Sequence, residues 1–468
     1  MRAEARNERT SAQVPGDMTT RRRGGMHGLG EQLKDQLVRQ VVKARSERAG
    51  DAQPVIYEPP PPRDSPVPEA LWKFDQHPGY LQVKLVREGA RRLDISDPFF
   101  RVHDGVAGSL TQMEGRPFVN FSSYNYLGLN GDPRVNAAAE AAIERYGTSV
   151  SASRLVSGER PPHQALERAL AAVYGVESCI TFVSGHATNV STIGSLFGPR
   201  DLIVHDALIH NSALLGAELS GARRLSFPHN DWAALDTLLA RERRSFQRVL
   251  IVLEGLYSMD GDVPELPRFI EIKHRHRAFL MVDEAHSFGV VGRRGLGLRE
   301  HFGLDGGAVD IWMGTLSKTL AGCGGFIAGE RALVDILRFA SPGFVFSVGM
   351  PPPVAAASLA ALECMLAEPW RVTALQARGR EFLRQAREAG IDTGTSQGYA
   401  IVPAITGSSV RAGRLSQAMY ERGINVQPIL HPAVPENSAR LRFFLSTQHT
   451  VEQITGAVRT LAAESSRL

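Results

Sequence analysis

Between residues 178 and 314 the chain repeats one pattern: a short apolar run, a polar turn and a helical stretch. The runs fall at 178–183, 202–205, 224–227, 249–253, 278–282 and 311–314, with helical segments such as 231–241 and 266–274 between them. Runs this short and this continuously apolar are strands buried on both faces, and intervening helices return the chain so that neighbouring strands lie parallel. The expected fold class is therefore α/β, with a mostly parallel central sheet in a large domain. Earlier, 115–121 reads as hairpin strand material, with helices at about 133–146 and 163–174. After Pro351-Pro352-Pro353 a long helix is expected at about 354–366. Alternation then resumes to a last helix near 451–463, a smaller C-terminal α/β domain. The expected division is an N-terminal extension at 1–75, a segment joining the small lobe at 76–130, the large domain at 131–350 and the small domain at 351–468.

An open α/β sheet binds ligands beyond the carboxyl ends of its strands, so the residues that follow each run matter most. After 178–183 comes Ser184-Gly185-His186-Ala187-Thr188-Asn189, a glycine leading into a helix whose free N–H groups suit a phosphate; taken alone it is also a plain turn. After 202–205 comes Asp206-Ala207-Leu208-Ile209-His210. His210 can lie flat on an aromatic cofactor and move protons, or it can be satisfied by local hydrogen bonds. After 249–253, the turn from Glu254 to Asp262 aims Glu254 and Ser258 inward. After 278–282 comes Asp283-Glu284-Ala285-His286. Asp283 can keep a proton on a pyridine nitrogen, and His286 can reach a phenolic oxygen or a substrate. A structural pair or a metal pair stays open for these two alone, although a metal needs further ligands at matching spacing.

After 311–314 comes Thr315-Leu316-Ser317-Lys318 and a glycine-rich turn. A lysine at a strand end can be partly desolvated, which frees its amine to attack a carbonyl; by itself Lys318 reads equally as an ordinary loop lysine. Five strand ends, each with the residue type it needs, point together to pyridoxal 5'-phosphate (PLP), with Lys318 as the Schiff-base residue and Thr315 and Ser317 available to the phosphate. No metal site is expected.

Composition narrows the class further. The 468 residues, 43% of them hydrophobic, can bury a large core in two or three lobes. The net charge is only +4 and no basic run is interleaved with aromatics, so nucleic acid is not an expected partner. Cys179, Cys323 and Cys364 lack CxxC spacing, a reduced, intracellular pattern. No stretch approaches the ~20 apolar residues of a membrane span, and a cytoplasmic protein is expected. Residues 1–25 are arginine-rich and polar, the composition of a disordered segment. An amphipathic helix is expected over 29–48, followed by the stiff run Pro59-Pro60-Pro61-Pro62. This appendage reads as well as a helix packed on its own body as it does as a docking element.

The motifs occur in an order that resembles the α-oxoamine synthases, fold-type I PLP-dependent transferases that condense an amino acid with an acyl thioester. They are Asn120-Phe121-Ser122-Ser123-Tyr124-Asn125-Tyr126-Leu127-Gly128-Leu129, the Gly185 turn, His210, Glu254 to Asp262, Asp283 to His286, and Thr315 to Lys318. The likeness runs from about Asp97 to Ala463. It implies that Lys318 carries PLP, Asp283 pairs with the pyridine nitrogen, His210 stacks on the ring, and His286 and Ser258 face its phenolic oxygen. Gly185, His186 and Thr315 would serve the phosphate. Ser347 would reach the neighbouring subunit's phosphate, which implies a homodimer with shared active sites. Arg442 would take the amino-acid carboxylate, with Asn125 and Arg101 also on the substrate side. Two departures stand out. The loop after Gly147 is rich in serine where the family has glycine, and Ala433 stands where the biotin-pathway enzyme has a threonine. The serine-rich loop and the sequence from Gly185 to Asn189 look more like synthase domains of polyketide assembly lines, so an acyl-carrier protein is as open a donor as CoA. An aminotransferase or lyase of the same fold is the alternative; a catalytically dead subunit is disfavoured by the presence of Lys318.

Overall fold

The computed structural model describes residues 67–468; the polar run at 1–25, the helix expected over 29–48 and the proline run at 59–62 lie outside the described residues. The chain divides into two compact units, Met1–Gln82 and Val83–Leu468, and every described strand lies in the second. In chain order the strands are β1 (Leu110–Met113), β2 (Arg116–Asn120), β3 (Ser178–Phe182), β4 (Leu202–Asp206), β5 (Arg223–Phe227), β6 (Val249–Glu254), β7 (Phe279–Asp283), β8 (Ile311–Thr315), β9 (Gly325–Gly329), β10 (Ile401–Ile405), β11 (Ile424–Asn425), β12 (Gln427–Ile429) and β13 (Arg440–Phe444).

Seven strands form the main sheet, in the order β3-β9-β8-β7-β6-β4-β5. From β8 to β5 neighbours are parallel, while β9 runs antiparallel between β3 and β8. The six apolar runs of the sequence are β3 to β8. β9 was not among the expected strands, because Gly325-Phe326-Ile327-Ala328-Gly329 is short, ends in glycines and follows the Lys318 loop directly. The first of those glycines is needed for close approach: a Cβ on Gly325 would lie 2.5 Å from Thr188 Oγ1 in the helix Gly185–Leu196.

The two-residue period of a strand decides what each side chain touches. On β6, Val249, Ile251 and Leu253 join one buried cluster, and Leu250 and Val252 join a second. β8 repeats this with Trp312 on one face and Ile311 and Met313 on the other. The first cluster takes Leu166, Leu170 and Tyr174 from the helix Pro161–Tyr174. The second takes Ile193 from Gly185–Leu196, and Ala213 and Ala217 from Asn211–Ser220. Each fully buried Leu or Phe stabilises the fold by roughly 1.5–3 kcal/mol relative to exposure, so the strand ends rise from a rigid base.

Two smaller sheets complete the body. β11 pairs in parallel with β2, which makes one sheet of the early β1–β2 hairpin and a strand some three hundred residues on in the chain (Asn120 faces Asn425). β10, β13 and β12 form an antiparallel sheet. The helix Pro133–Tyr146 starts where expected: Asp132 caps it by accepting from Arg134 N, and proline takes the first position. Pro352–Ala367 packs on that helix, so 131–350 and 351–468 meet within one compact unit. Among the described residues no helix is long and apolar enough to cross a membrane, and no group of three or more His, Cys, Asp or Glu could hold a metal.

Candidate active site

A cavity of about 350 Å³ opens at the carboxyl ends of β3, β4, β6, β7 and β8. Gly185 and His186 line it after β3, His210 after β4, Ser258 after β6, Asp283 and His286 at β7, Thr315 and Lys318 at β8, and Arg442 reaches it from β13. The parallel register explains the convergence, since Glu254 pairs with Asp283 and Asp283 with Met313 along adjacent strand ends.

Lys318 sits in the loop that turns β8 back into β9. Leu316 N donates to Gly324 O, Gly322 N to Leu316 O and Thr315 Oγ1 to Gly324 O, each at 2.9 Å. Burial lowers the lysine's pKa to about 8; the Arg442 charge adds to this, and Asp283 and Glu254 oppose it. Its Nζ lies 5.6 Å from the Tyr124 ring centre.

Asp283 is 5% exposed and accepts from Ala285 N at 3.0 Å and from Asn189 Nδ2 at 2.8 Å. The same Asn189 amide donates to Ser212 Oγ at 2.9 Å, and Ser212 Oγ lies 2.7 Å from His210 Nδ1. A hydroxyl that accepts from an amide has its own proton left to give, so Ser212 donates to Nδ1. Ser212 N donates to the same atom at 3.3 Å, which leaves the proton of a neutral His210 on Nε2. His286 Nδ1 lies 2.8 Å from the hydroxyl of Tyr126, itself fully buried. Burial, then the charges of Lys318 and Arg442, hold the His286 pKa well below its ordinary value.

Glu254 Oε2 accepts from Ser258 N at 3.0 Å, while Oε1 is buried without a partner. Burial first, and then the Asp283 charge, raise this carboxyl's pKa to about 8. Arg442 Nη1 donates to Ser258 O at 3.0 Å, its guanidinium lies 4.6 Å from the Phe444 ring centre, and its buried Nε lacks a partner. At the other end of the cavity the helix Gly185–Leu196 begins at Ser184, beside Thr315 and Ser317. A Cβ on Gly185 would stand 2.9 Å from Thr315 Oγ1, so glycine keeps this corner open.

Asn125, Arg101 and Ser347 do not line this cavity. Asn125 locks a turn: its amide donates to Ala107 O at 2.9 Å and Asn130 O at 3.1 Å, and its Oδ1 accepts from Asn130 N at 3.1 Å. The neighbouring Tyr124 faces the cavity instead. Arg101 lies over the Tyr420 ring, 3.5 Å from its centre, among Phe99, Phe100 and Met113. Ser347 lies on the outside, between the exposed Phe346 and Val348. Ala433 is exposed as well. Sequence reasoning gave no role to Asn189, Ser212, Tyr124 or Tyr126. Asn189 carried one usable signal: it stands one helical turn beyond Gly185, on the face that the glycine turns toward the sheet.

The aminotransferase class I and II family model matches residues 116–461. The chain belongs to that family, among its α-oxoamine synthases. The 8-amino-7-oxononanoate synthase of Anaeromyxobacter sp. (strain K) is 42% identical over 356 residues, 76% of this chain and 88% of that protein. The serine palmitoyltransferase of Sphingomonas wittichii superposes with a TM-score of 0.79 at 30% identity, covering 83% of this chain and 98% of its own. A structure of SPT with PLP does so with a TM-score of 0.78 at 28% identity, with the same coverage. This α-oxoamine synthase is accordingly a PLP-dependent acyltransferase of fold-type I.

Proposed function

We propose that the cavity at the strand ends is the PLP site, and that the residues lining it perform a decarboxylating condensation of an amino acid with an acyl thioester to an α-amino ketone. The observation that carries this is Asp283: a buried carboxylate at the cavity wall, held by an amide and a backbone N–H and free of a cationic side-chain partner, beside a lysine with a lowered pKa. A protonated pyridine nitrogen is the complement that such a carboxylate lacks.

When bound, PLP supplies an electron sink for the substrate's α-carbon. Lys318 would hold the cofactor, and its free amine would be the group placed to take the substrate's α-proton. Asp283, oriented by Asn189, keeps the proton on the ring nitrogen. His210 would lie against the ring and would present Nε2–H. His286, fixed by Tyr126, and Ser258 serve the phenolic-oxygen side. Backbone N–H groups at Gly185 and His186, with Thr315, receive the phosphate. Arg442 takes the amino-acid carboxylate, which suits its planar fork and its unpartnered Nε. His210 or His286 donates to the oxyanion that forms when the thioester is attacked.

The reading includes a homodimer in which Ser347 reaches the neighbouring copy's phosphate. Phe346 is 87% and Val156 80% exposed, and their segments are joined where Gly349 N donates to Ala152 O at 2.9 Å. Exposed apolar side chains on two joined segments fit a second copy of the chain; a monomer in sedimentation experiments would remove this part of the proposal. A cytoplasmic location and a CoA or acyl-carrier donor belong to the same reading.

A panel crossing glycine, alanine and serine with acyl-CoA and acyl-carrier thioesters, read by product mass, tests the function. The expected result is a thioester-dependent amino ketone with release of CO₂. Amino-group transfer to keto acids without any thioester would overturn the reading in favour of an aminotransferase.

A further inference from the structure

Two loops line the cavity at adjacent strand ends: the one after β4 that carries His210, and the one after β6, beyond Glu254, that carries Ser258. His229, in the turn after β5, lies outside the cavity lining and touches both. Its Nδ1 is 2.9 Å from Asp206 Oδ1 and its Nε2 is 3.0 Å from Asp262 Oδ2. Ionised carboxylates only accept hydrogen bonds, so an imidazole between two of them donates from both nitrogens and carries a charge. Burial opposes that charge, but hydrogen bonds to Asp206 and Asp262 and their Coulomb attraction outweigh it and raise the pKa to about 10. The Tyr257 ring packs edge-on against the imidazole with centres 4.4 Å apart.

The Asp206 carboxylate also fixes its own loop, whereas Asp262 closes its turn through its backbone carbonyl. Asp206, fully buried at the end of β4, accepts from Leu208 N, two residues before His210, at 2.8 Å and from Asn230 N at 2.7 Å. Asp262 O accepts from Tyr257 N at 2.9 Å, and Tyr257 O accepts from Gly261 N at 2.9 Å, which closes the turn that contains Ser258.

We propose that His229 is a positioning residue: bridging Asp206 and Asp262, it locks the His210 loop to the Ser258 loop and sets the spacing of these two neighbouring parts of the cavity lining. The proposal rests on the reading that this lining encloses PLP. Removing the clamp lets His210 and Ser258 drift relative to each other, and misplacement on the order of 1 Å costs ~10²-fold in rate.

The test uses the holoenzyme. His229→Gln keeps a donor but loses the charge and the second collinear N–H. Its kcat is expected to fall about 30–100-fold while the KM for amino acid moves less than about 3-fold, with a changed visible circular-dichroism band of the bound cofactor. The double variant His229→Gln, Asp262→Asn removes the stranded carboxylate. Melting temperature is expected to recover in it and kcat is not; recovery of both would reduce His229 to a stability role and overturn the proposal. A cofactor band and kcat both insensitive to His229→Gln overturn the clamp alone, whereas an unsubstituted chain that binds no PLP overturns the reading beneath it. Where the variants do not fold, ¹⁵N NMR of the unsubstituted holoenzyme decides. Both ring nitrogens of His229 should remain protonated at pH 8, and a neutral ring there sinks the clamp.

Discussion

The main sheet and the small antiparallel sheet β10-β13-β12 both deliver charge to the same cavity, but they do so unequally. Five strand ends of the main sheet supply Asp283, Lys318 and the groups around them, whereas the small sheet supplies Arg442 alone. Asp283 is held from within the rim by Asn189, which in turn anchors Ser212 and His210. Arg442 is held by Ser258 O on the rim and by the Phe444 ring of its own strand. On the proposed reading, cofactor chemistry depends on side chains fixed by a continuous core. The grip on substrate then comes from Arg442 on β13, with Ser258 O its one oxygen acceptor among the described residues.

Three measurements would break or sharpen that contrast. The largest effect belongs to the rim: Lys318→Ala should lose at least about 10⁴-fold in kcat, along with the visible band that borohydride fixes. A variant that still turned over would remove the lysine from the centre of the rim. Arg442→Lys should come next, raising the KM for amino acid by about 10–100-fold, the worth of a two-point charged hydrogen bond, with the affinity for PLP unchanged. Loss of PLP in that variant would mean that the two sheets are not separable in function. The smallest effect is a titration. Lys318 has its pKa lowered to about 8, and only its free amine attacks a carbonyl, so capture of PLP by apo-protein should quicken as pH rises toward 8 and level off above it. A rate still climbing steeply between pH 9 and 10 would show that the amine is not desolvated.

Much of the rim was readable from sequence because it depends on local rules. An apolar run ends, and the next residue to point out of the sheet is at the surface where ligands sit. Asp283, His286 and Lys318 needed nothing more. The antiparallel β9 escaped because five residues with glycine at both ends carry no strand period. Tyr126 could not be tied to His286 because 160 residues separate the two side chains that meet at 2.8 Å. Asn125 and Tyr124 illustrate a finer limit: adjacent residues in a turn face opposite ways, and only the carbonyls of Ala107 and Asn130 decide which one turns inward. His229 carried no signal in the sequence, since neither aspartate that flanks it is near it along the chain.

All seven strands of the main sheet lie between Ser178 and Gly329. The order of synthesis therefore matters. By the time residue 329 has been joined, the nascent chain contains the cofactor rim's strand ends and the lysine between β8 and β9. Arg442 is still more than a hundred residues from being made, on the order of ten seconds at ordinary elongation rates. A ribosome-bound chain thus has the strand ends and Lys318 in hand before it has the arginine that the small sheet brings to the same cavity.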